Sequence, residues 1–343
     1  MKYSLNKLSE ELGVSKTTIS LILNNKARQY RISEALEQTV RDFCKKKKYS
    51  INIHARRMHQ EHVGNLGILL PPTHIFGIRN IFSDYNIAEI LGGIAAAAYD
   101  AEYRFSVKIA KSKTITDLDF VAEWYKSREI DGLICHGFIL DDAITERLLN
   151  VGVPLVAIGE SPLKGVPTVG VDNYSGAYKL TEHLISRGYS ELNFLGGVER
   201  SYVCQERYRG FAEALAKHEI SHSRDEVEYA DFREDLAYGW MKKRLQSGKK
   251  LEQALFCAND SMAIGVIQAL KEAGKTVPGD MAVAGADNIN LGWYITPALT
   301  TFHNCQVELG KNAFDLLYQV INREDGIDEH VKLDTDIIVR QST

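Results

Sequence analysis

Leu5, Leu8 and Leu12 recur at helical spacing, so the first pattern along the chain predicts a short helix with one apolar face. Ser4 is placed to cap its start and Gly13 to supply the left-handed residue that ends it. Val14 plugs the turn, Ser15 caps a second helix, and Ile19, Ile22 and Leu23 make that helix's inner face. Two short helices around a tight glycine-containing turn form a helix-turn-helix, whose second helix fits the DNA major groove. Such a pair cannot cover its own apolar face. The pattern predicts a third helix over Ser33 to Lys47, with Ala35, Leu36, Val40, Phe43 and Cys44 inward.

Beyond Leu66 the pattern changes to short apolar runs alternating with helical stretches. Buried strands are predicted at Leu66–Leu70, Phe105–Ile109, Leu133–Cys135 and Leu155–Ile158, with helices near Ile87–Tyr99, Leu118–Lys126 and Asp141–Leu149. A second series has strands near Leu192–Leu195, Val227–Tyr229, Leu255–Cys257 and Met281–Ala284. Its helices lie near Ala177–Ile185, Arg207–Lys217, Leu236–Leu245 and Met262–Glu272. Alternation of this kind implies an α/β fold of parallel sheets with right-handed crossovers. At 343 residues the chain is long enough for a head of about 60 residues and two lobes with cores of their own. Two facing sheets leave a cleft beyond the strand C-terminal ends, where ligands bind in such folds.

Charge sharpens the division. Residues 1–63 hold 13 lysines and arginines against 6 acidic residues, a net of +7. The remainder holds 28 against 39, a net of −11. A basic head on an acidic body is the footprint of a nucleic-acid-binding module. In a helix-turn-helix the early exposed residues of the second helix meet base edges, here Lys16, Thr17 and, one turn on, Leu21. Lys16 can donate to guanine O6 and N7, and Thr17 can hydrogen-bond or touch a thymine methyl, while Leu21 is limited to apolar contact. Ser4, Ser15 and Asn24 would fix the register on phosphates. The run Lys45–Lys48 is either a solvated helix end that complements the dipole or a phosphate contact.

Other chemistries find no support. The five cysteines (44, 135, 204, 257 and 305) are widely spaced and form no Cys-x-x-Cys pair, so neither a disulfide framework nor a zinc site is expected. Gly274-Lys275-Thr276 lacks a phosphate loop's first glycine, since Ala269 stands there. No nucleophile elbow, metal cluster or acid–base pair marks an enzyme, and no cofactor is expected. A signal peptide and a membrane span are both missing, which predicts a cytoplasmic protein.

Gly13-Val14-Ser15, Thr17-Thr18-Ile19-Ser20 and Asn24 resemble the head of the lactose-repressor/galactose-repressor family, which includes the purine repressors. The resemblance continues through Tyr49, Ala55-Arg56, Gly132-Leu133-Ile134, Val171-Asp172-Asn173 and Glu199-Arg200. It runs on through Asn259-Asp260-Ser261-Met262-Ala263, Asp287-Asn288 and Thr296-Pro297-Ala298-Leu299-Thr300-Thr301. It implies a three-helix head at 1–50, a hinge at 51–63 and a two-lobed periplasmic-binding-protein-like core at 64–343. The first lobe would take about 64–172 and 303–328, the second about 173–302 and 329–343. Within the hinge, Ala55, Arg56 and Met58 would enter the minor groove of a pseudo-palindromic operator, Met58 as the wedge; a disordered tether is the alternative. The protein would bind double-stranded DNA as a homodimer and act as a transcriptional repressor.

The same resemblance matches Asp172, Arg207 and Asp287 to positions that hydrogen-bond an effector, and Phe232 to an aromatic that packs on its ring. Arg200 and Tyr202 would lie on an adjoining contact loop, and Asn86 and Ile87 would enter from the first lobe. Asp260, by contrast, reads with Asn259 as a strand-to-helix cap. Carboxylates and an arginine beside an aromatic suit a sugar; a purine or other nucleobase is the alternative. The sequence leaves open the effector's identity, inducer or corepressor action, the operator sequence and the role of Pro71–Tyr85. A free-standing solute-binding protein would have no use for the basic head.

Overall fold

The computed structural model describes residues 4–23, 27–47, 49, 62–72, 80–110, 119–137, 142–159, 164–248 and 250–343. The chain divides into two compact units, Met1–Val63 and Gly64–Thr343.

In the first unit, α1 (Leu5–Leu12), α2 (Lys16–Leu23) and α3 (Glu34–Lys46) close around Leu8, Ile19, Ile22, Val40 and Cys44. Ser4 caps α1 by accepting the Lys7 amide at 3.3 Å, and Gly13 ends it in the left-handed region at φ 65°. Ser15 Oγ accepts the Thr18 amide at 3.0 Å, and Ser9 Oγ ties down the turn by donating to the Val14 carbonyl at 2.7 Å. Arg41 on α3 donates to the Ile22 carbonyl at 2.9 Å, which supplies a partner to the open C-terminal end of α2. One inward assignment is corrected: Ala35 is exposed, because the inner face of α3 runs through Leu36, Val40, Phe43 and Cys44. Val14 is half-buried.

The second unit holds two parallel sheets. The first has the order β11-β5-β4-β3-β1-β2, with β1 at Asn65–Leu70, β2 at Arg104–Ile109 and β3 at Gly132–His136. It continues with β4 at Leu155–Ile158, β5 at Thr168–Val171 and β11 at His330–Leu333. Strand alternation divides β1 between two faces. Leu66, Ile68 and Leu70 pack on α4 (Tyr85–Asp100) and α12 (Gln306–Asn322), whereas Leu69 packs with Trp124 of α5 (Asp119–Lys126) and Leu148 of α6 (Asp142–Val151). Gly93 and Gly310 let α4 and α12 approach backbone to backbone, since a Cβ on either would run into a carbonyl of the other helix.

The second sheet has the order β7-β6-β8-β9, with β6 at Leu192–Gly196, β7 at Glu228–Tyr229, β8 at Ala254–Cys257 and β9 at Ala282–Ala284. It is flanked by α7 (Asn173–Ser186), α8 (Tyr202–Lys217), α9 (Glu234–Gln246) and α10 (Asp260–Glu272). Phe194, Phe211 and Phe256 meet ring to ring in its core. A short helix, α11 (Asn290–Tyr294), precedes the antiparallel pair β10 (Thr301–Phe302) and β12 (Ile337–Ile338). Bridges Ala284–Thr300 and Asp287–His303 join that pair to the end of β9.

The lobe boundaries need one correction. Residues 330–333 form β11, which pairs with β5 from His330–Thr168 to Leu333–Val171 and so belongs to the first lobe. The chain crosses between lobes at 172–173, 303–305 and 334–336. Lys179 of α7 holds the last crossing through the Thr335 carbonyl at 2.6 Å.

Candidate functional site

On the head, Lys16 and Thr17 are exposed in the first turn of α2, and Leu21 is half-buried one turn on. Ser4 and Ser15 are exposed beside the helix starts that they cap. Lys47 is drawn back into the head, paired to Glu11 at 2.9 Å and lying 5.3 Å from the Phe43 ring centre. Lys45 and Lys46 are exposed in the last turn of α3. Asn24, Ala55, Arg56 and Met58 lie outside the described residues, as does nearly all of the hinge segment.

In the second unit the strand C-terminal ends converge on a buried polar cluster. Arg207, 2% exposed, projects from α8 and donates Nε to Asn173 Oδ1 at 2.8 Å. Its terminal nitrogens reach the Ala258 carbonyl after β8 and, at 2.8 Å, Asp287 Oδ1. The Phe302 ring backs the guanidinium at 5.1 Å. Asp287 is 3% exposed and sits at φ 111°, a conformation that non-glycine residues rarely adopt. Its amide donates to the Phe302 carbonyl at 3.0 Å, along the bridge that fixes the loop.

The first lobe completes the cluster. Asp84 caps α4 through the Ile87 amide at 3.0 Å, which aims the next turn at the other lobe. Asn86 Nδ2 then donates to Asp287 Oδ2 at 2.8 Å. Gln306 Nε2, at the first turn of α12, donates both to Asn86 Oδ1 at 2.8 Å and to the Asp287 carbonyl at 2.7 Å. Arg207, Asp287 and Asn86 thus meet from three separate elements and both lobes.

Asp260 supports this arrangement from below. It is fully buried, accepting the Ile289 amide at 2.9 Å and the Thr301 hydroxyl at 2.7 Å. Burial, reinforced by the Asp287 charge, pushes its carboxyl well above the ordinary aspartate range. Asp84 is raised in the same way, by burial first and by Asp287 in addition, against the pull of its capping bonds. The helix cap itself is Asn259, which accepts the Met262 amide at 2.9 Å. Asp260 instead ties α10 to the loop that carries Asp287.

The remaining expected residues stand elsewhere. Asp172 caps α7, taking the Ser175 amide at 2.9 Å and hydroxyl at 2.8 Å, and pairs with Lys332 at 3.1 Å. Burial opposes its charge, but those bonds outweigh it and lower the carboxyl's pKa. Ile87 is 5% exposed and packs into the first-lobe core with Ile68 and Ile94. Phe232 is half-buried at φ 58°, with its ring where a side chain on Gly197 would be. Arg200 is exposed, and Tyr202 is 36% exposed at the first turn of α8, which Ser201 caps. Three residues of the cluster, Asn173, Phe302 and Gln306, are not among those the sequence singles out. Asn173 lies inside a motif already noted, whereas nothing local marks Gln306, whose partners are 19 and 220 residues away.

A family model described as a periplasmic binding protein-like domain matches residues 181–343. The HTH-type transcriptional repressor PurR of Haemophilus influenzae is 27% identical over 99% of this chain and 98% of its own length. A lac repressor dimer bound to operator and the anti-inducer ONPF aligns with a TM-score of 0.84 over 100% of this chain and 99% of that one, at 20% identity. A LacI family transcriptional regulator from Enterococcus faecium with bound ribose reaches 0.68 over 81% of this chain and 98% of its own, at 26% identity.

Proposed function

We propose that the chain is a transcriptional repressor of the lactose-repressor/galactose-repressor family. It binds operator DNA through its head and answers to a small molecule held between the lobes of its second unit. One observation carries the reading: a single chain joins a helix-turn-helix with Lys16 and Thr17 exposed on α2 to a body in which Asn86 of one lobe meets Asp287 and Arg207 of the other. A ligand that touches both sides of such a cluster binds one lobe arrangement better than another, and only that difference can move an equilibrium.

The operator is double-stranded and pseudo-palindromic, read by a homodimer, since one recognition helix spans only a few base pairs. Lys16 and Thr17 read bases, while Ser4, Ser15 and Asn24 hold phosphates. Ala55, Arg56 and Met58 act in the minor groove. The effector is a sugar or sugar derivative, and the protein works in the cytoplasm without catalysing a reaction. Supporting the sugar are the buried carboxylate and guanidinium of Asp287 and Arg207, and Asn86 where an aromatic would serve a nucleobase. Arg207, Asp287 and Asn86 make its polar contacts, with Arg200, Tyr202 and Phe232 at the margin. The E. faecium regulator with bound ribose agrees with that choice.

A thermal-shift panel of sugars, sugar phosphates and nucleobases tests the effector class, because a ligand of the folded state raises the melting temperature by mass action. A hit among the nucleobases alone would overturn the sugar. Selection of duplexes from random DNA by the full chain tests the rest. Recovery of a two-fold sequence is expected, and failure to enrich any sequence would overturn the repressor reading.

A further inference from the structure

Asn86 and Gln306 do more than complete a list of cleft residues, because each bonds across the gap between lobes. Asn86 donates one amide proton to Asp287 Oδ2 and accepts one from Gln306 on its oxygen. Asn304 Nδ2 approaches the same oxygen at 3.3 Å. Gln306 Nε2 has two protons and commits both, one to Asn86 and one to the Asp287 carbonyl, at 6% exposure. The Asp287 carboxylate is shared in turn, Oδ1 held by Arg207 and Oδ2 by Asn86. We propose that the Asn86 and Gln306 amides are a latch between the two lobes, holding Asp287 in competition with a ligand's own donors.

The proposal rests on the reading of this cleft as the effector site. It makes binding an exchange: a ligand hydroxyl or amine that takes Asp287 Oδ2 must first displace the Asn86 amide. The latch therefore sets the affinity, since the bonds it loses are subtracted from those the ligand gains. A hydrogen bond to a carboxylate at this depth is among the stronger ones, so its loss is felt in the open fraction.

The test measures the distance between spin labels at Glu89 on α4 and Asp235 on α9, both exposed, one in each lobe. The labels enter as non-natural residues in the full chain, which leaves its five cysteines untouched. Without ligand or DNA, the wild type should give one narrow short distance. Asn86→Ala and Gln306→Glu should each add a longer one, with the open fraction up about tenfold, the factor for one such bond. Asn86 is half-buried, so its substitution tests the idea even if the Gln306 variant fails to fold. An unchanged distance in folded Asn86→Ala, or a broad open distribution in the wild type, would overturn the latch. The measurement involves neither operator nor effector. Loss of the repressor reading and loss of the latch would therefore be told apart.

Discussion

Asp172 closes one parallel strand and Asp287 follows another, yet their surroundings give them different work. Asp172 spends its oxygens on Ser175 and Lys332, near the surface. Asp172→Ala should therefore lower stability by about 1 kcal/mol, as loss of a cap does, with little added by its half-exposed ion pair, and should leave effector binding intact. Asp287→Ala strands a buried guanidinium and should cost about 3–5 kcal/mol in urea unfolding. A cost as small as that of Asp172→Ala would contradict the pairing. Both aspartates are legible as candidates through the resemblance, which matches the motifs Val171-Asp172-Asn173 and Asp287-Asn288. Their division is not legible, since it depends on Ser175 in the next turn for one and on Arg207, eighty residues away, for the other. Titration belongs to this scale too. Burial lowers the His183 and His222 pKa values below the ordinary 6.5, so the folded state prefers them neutral. Their contribution is complete above that value and is lost as pH falls through it toward the folded values. The urea midpoint should drop between pH 7.5 and 5.5, and His183→Gln with His222→Gln should flatten that drop; an equal slope in the double variant would contradict it.

At the scale of elements, apolar runs locate β1, β3, β4, β6 and β8 within a residue of where they form, but leave out β5. They fail at the edge of the first sheet. β11 reads His-Val-Lys-Leu, half polar as an edge strand should be, and its partner β5 lies about 160 residues earlier, so nothing local announces the pairing. The boundary implied by the resemblance misses that return and puts residues 330–333 in the wrong lobe. Helix starts are placed late for a related reason: α7 and α8 begin at Asp172 and Ser201 caps, before their apolar stripes do. The seam between α4 and α12 is the most exacting contact of this kind. Gly310→Ala places a Cβ against the Ile90 carbonyl, and backbone cannot give way as a flexible side chain can. It should destabilise by about 1–3 kcal/mol; a guanidinium midpoint equal to the wild type's would contradict the close approach.

At the scale of the molecule, the distribution of charge along the sequence already separates the two units, because the net of the whole chain, −4, hides a basic head. Exposure of Lys16 on α2 gives that charge a direction. Lys16→Ala should lose about 1–3 kcal/mol on the selected operator and much less on random duplex. Equal losses on both would assign Lys16 to phosphate. Affinity of the intact chain should fall steeply with salt, as released counterions require. What no local pattern reveals is how the lobes communicate, since Asn86, Gln306, Arg207 and Asp287 become neighbours only after folding. The account therefore stands on coupling between ligand and DNA. The measurement is fluorescence anisotropy of the selected operator, titrated with the full chain in the absence and the presence of the sugar found by thermal shift. A coupling of about 1–3 kcal/mol is expected, seen as an operator affinity weakened about 5- to 150-fold at saturating sugar. Superimposable isotherms would contradict it.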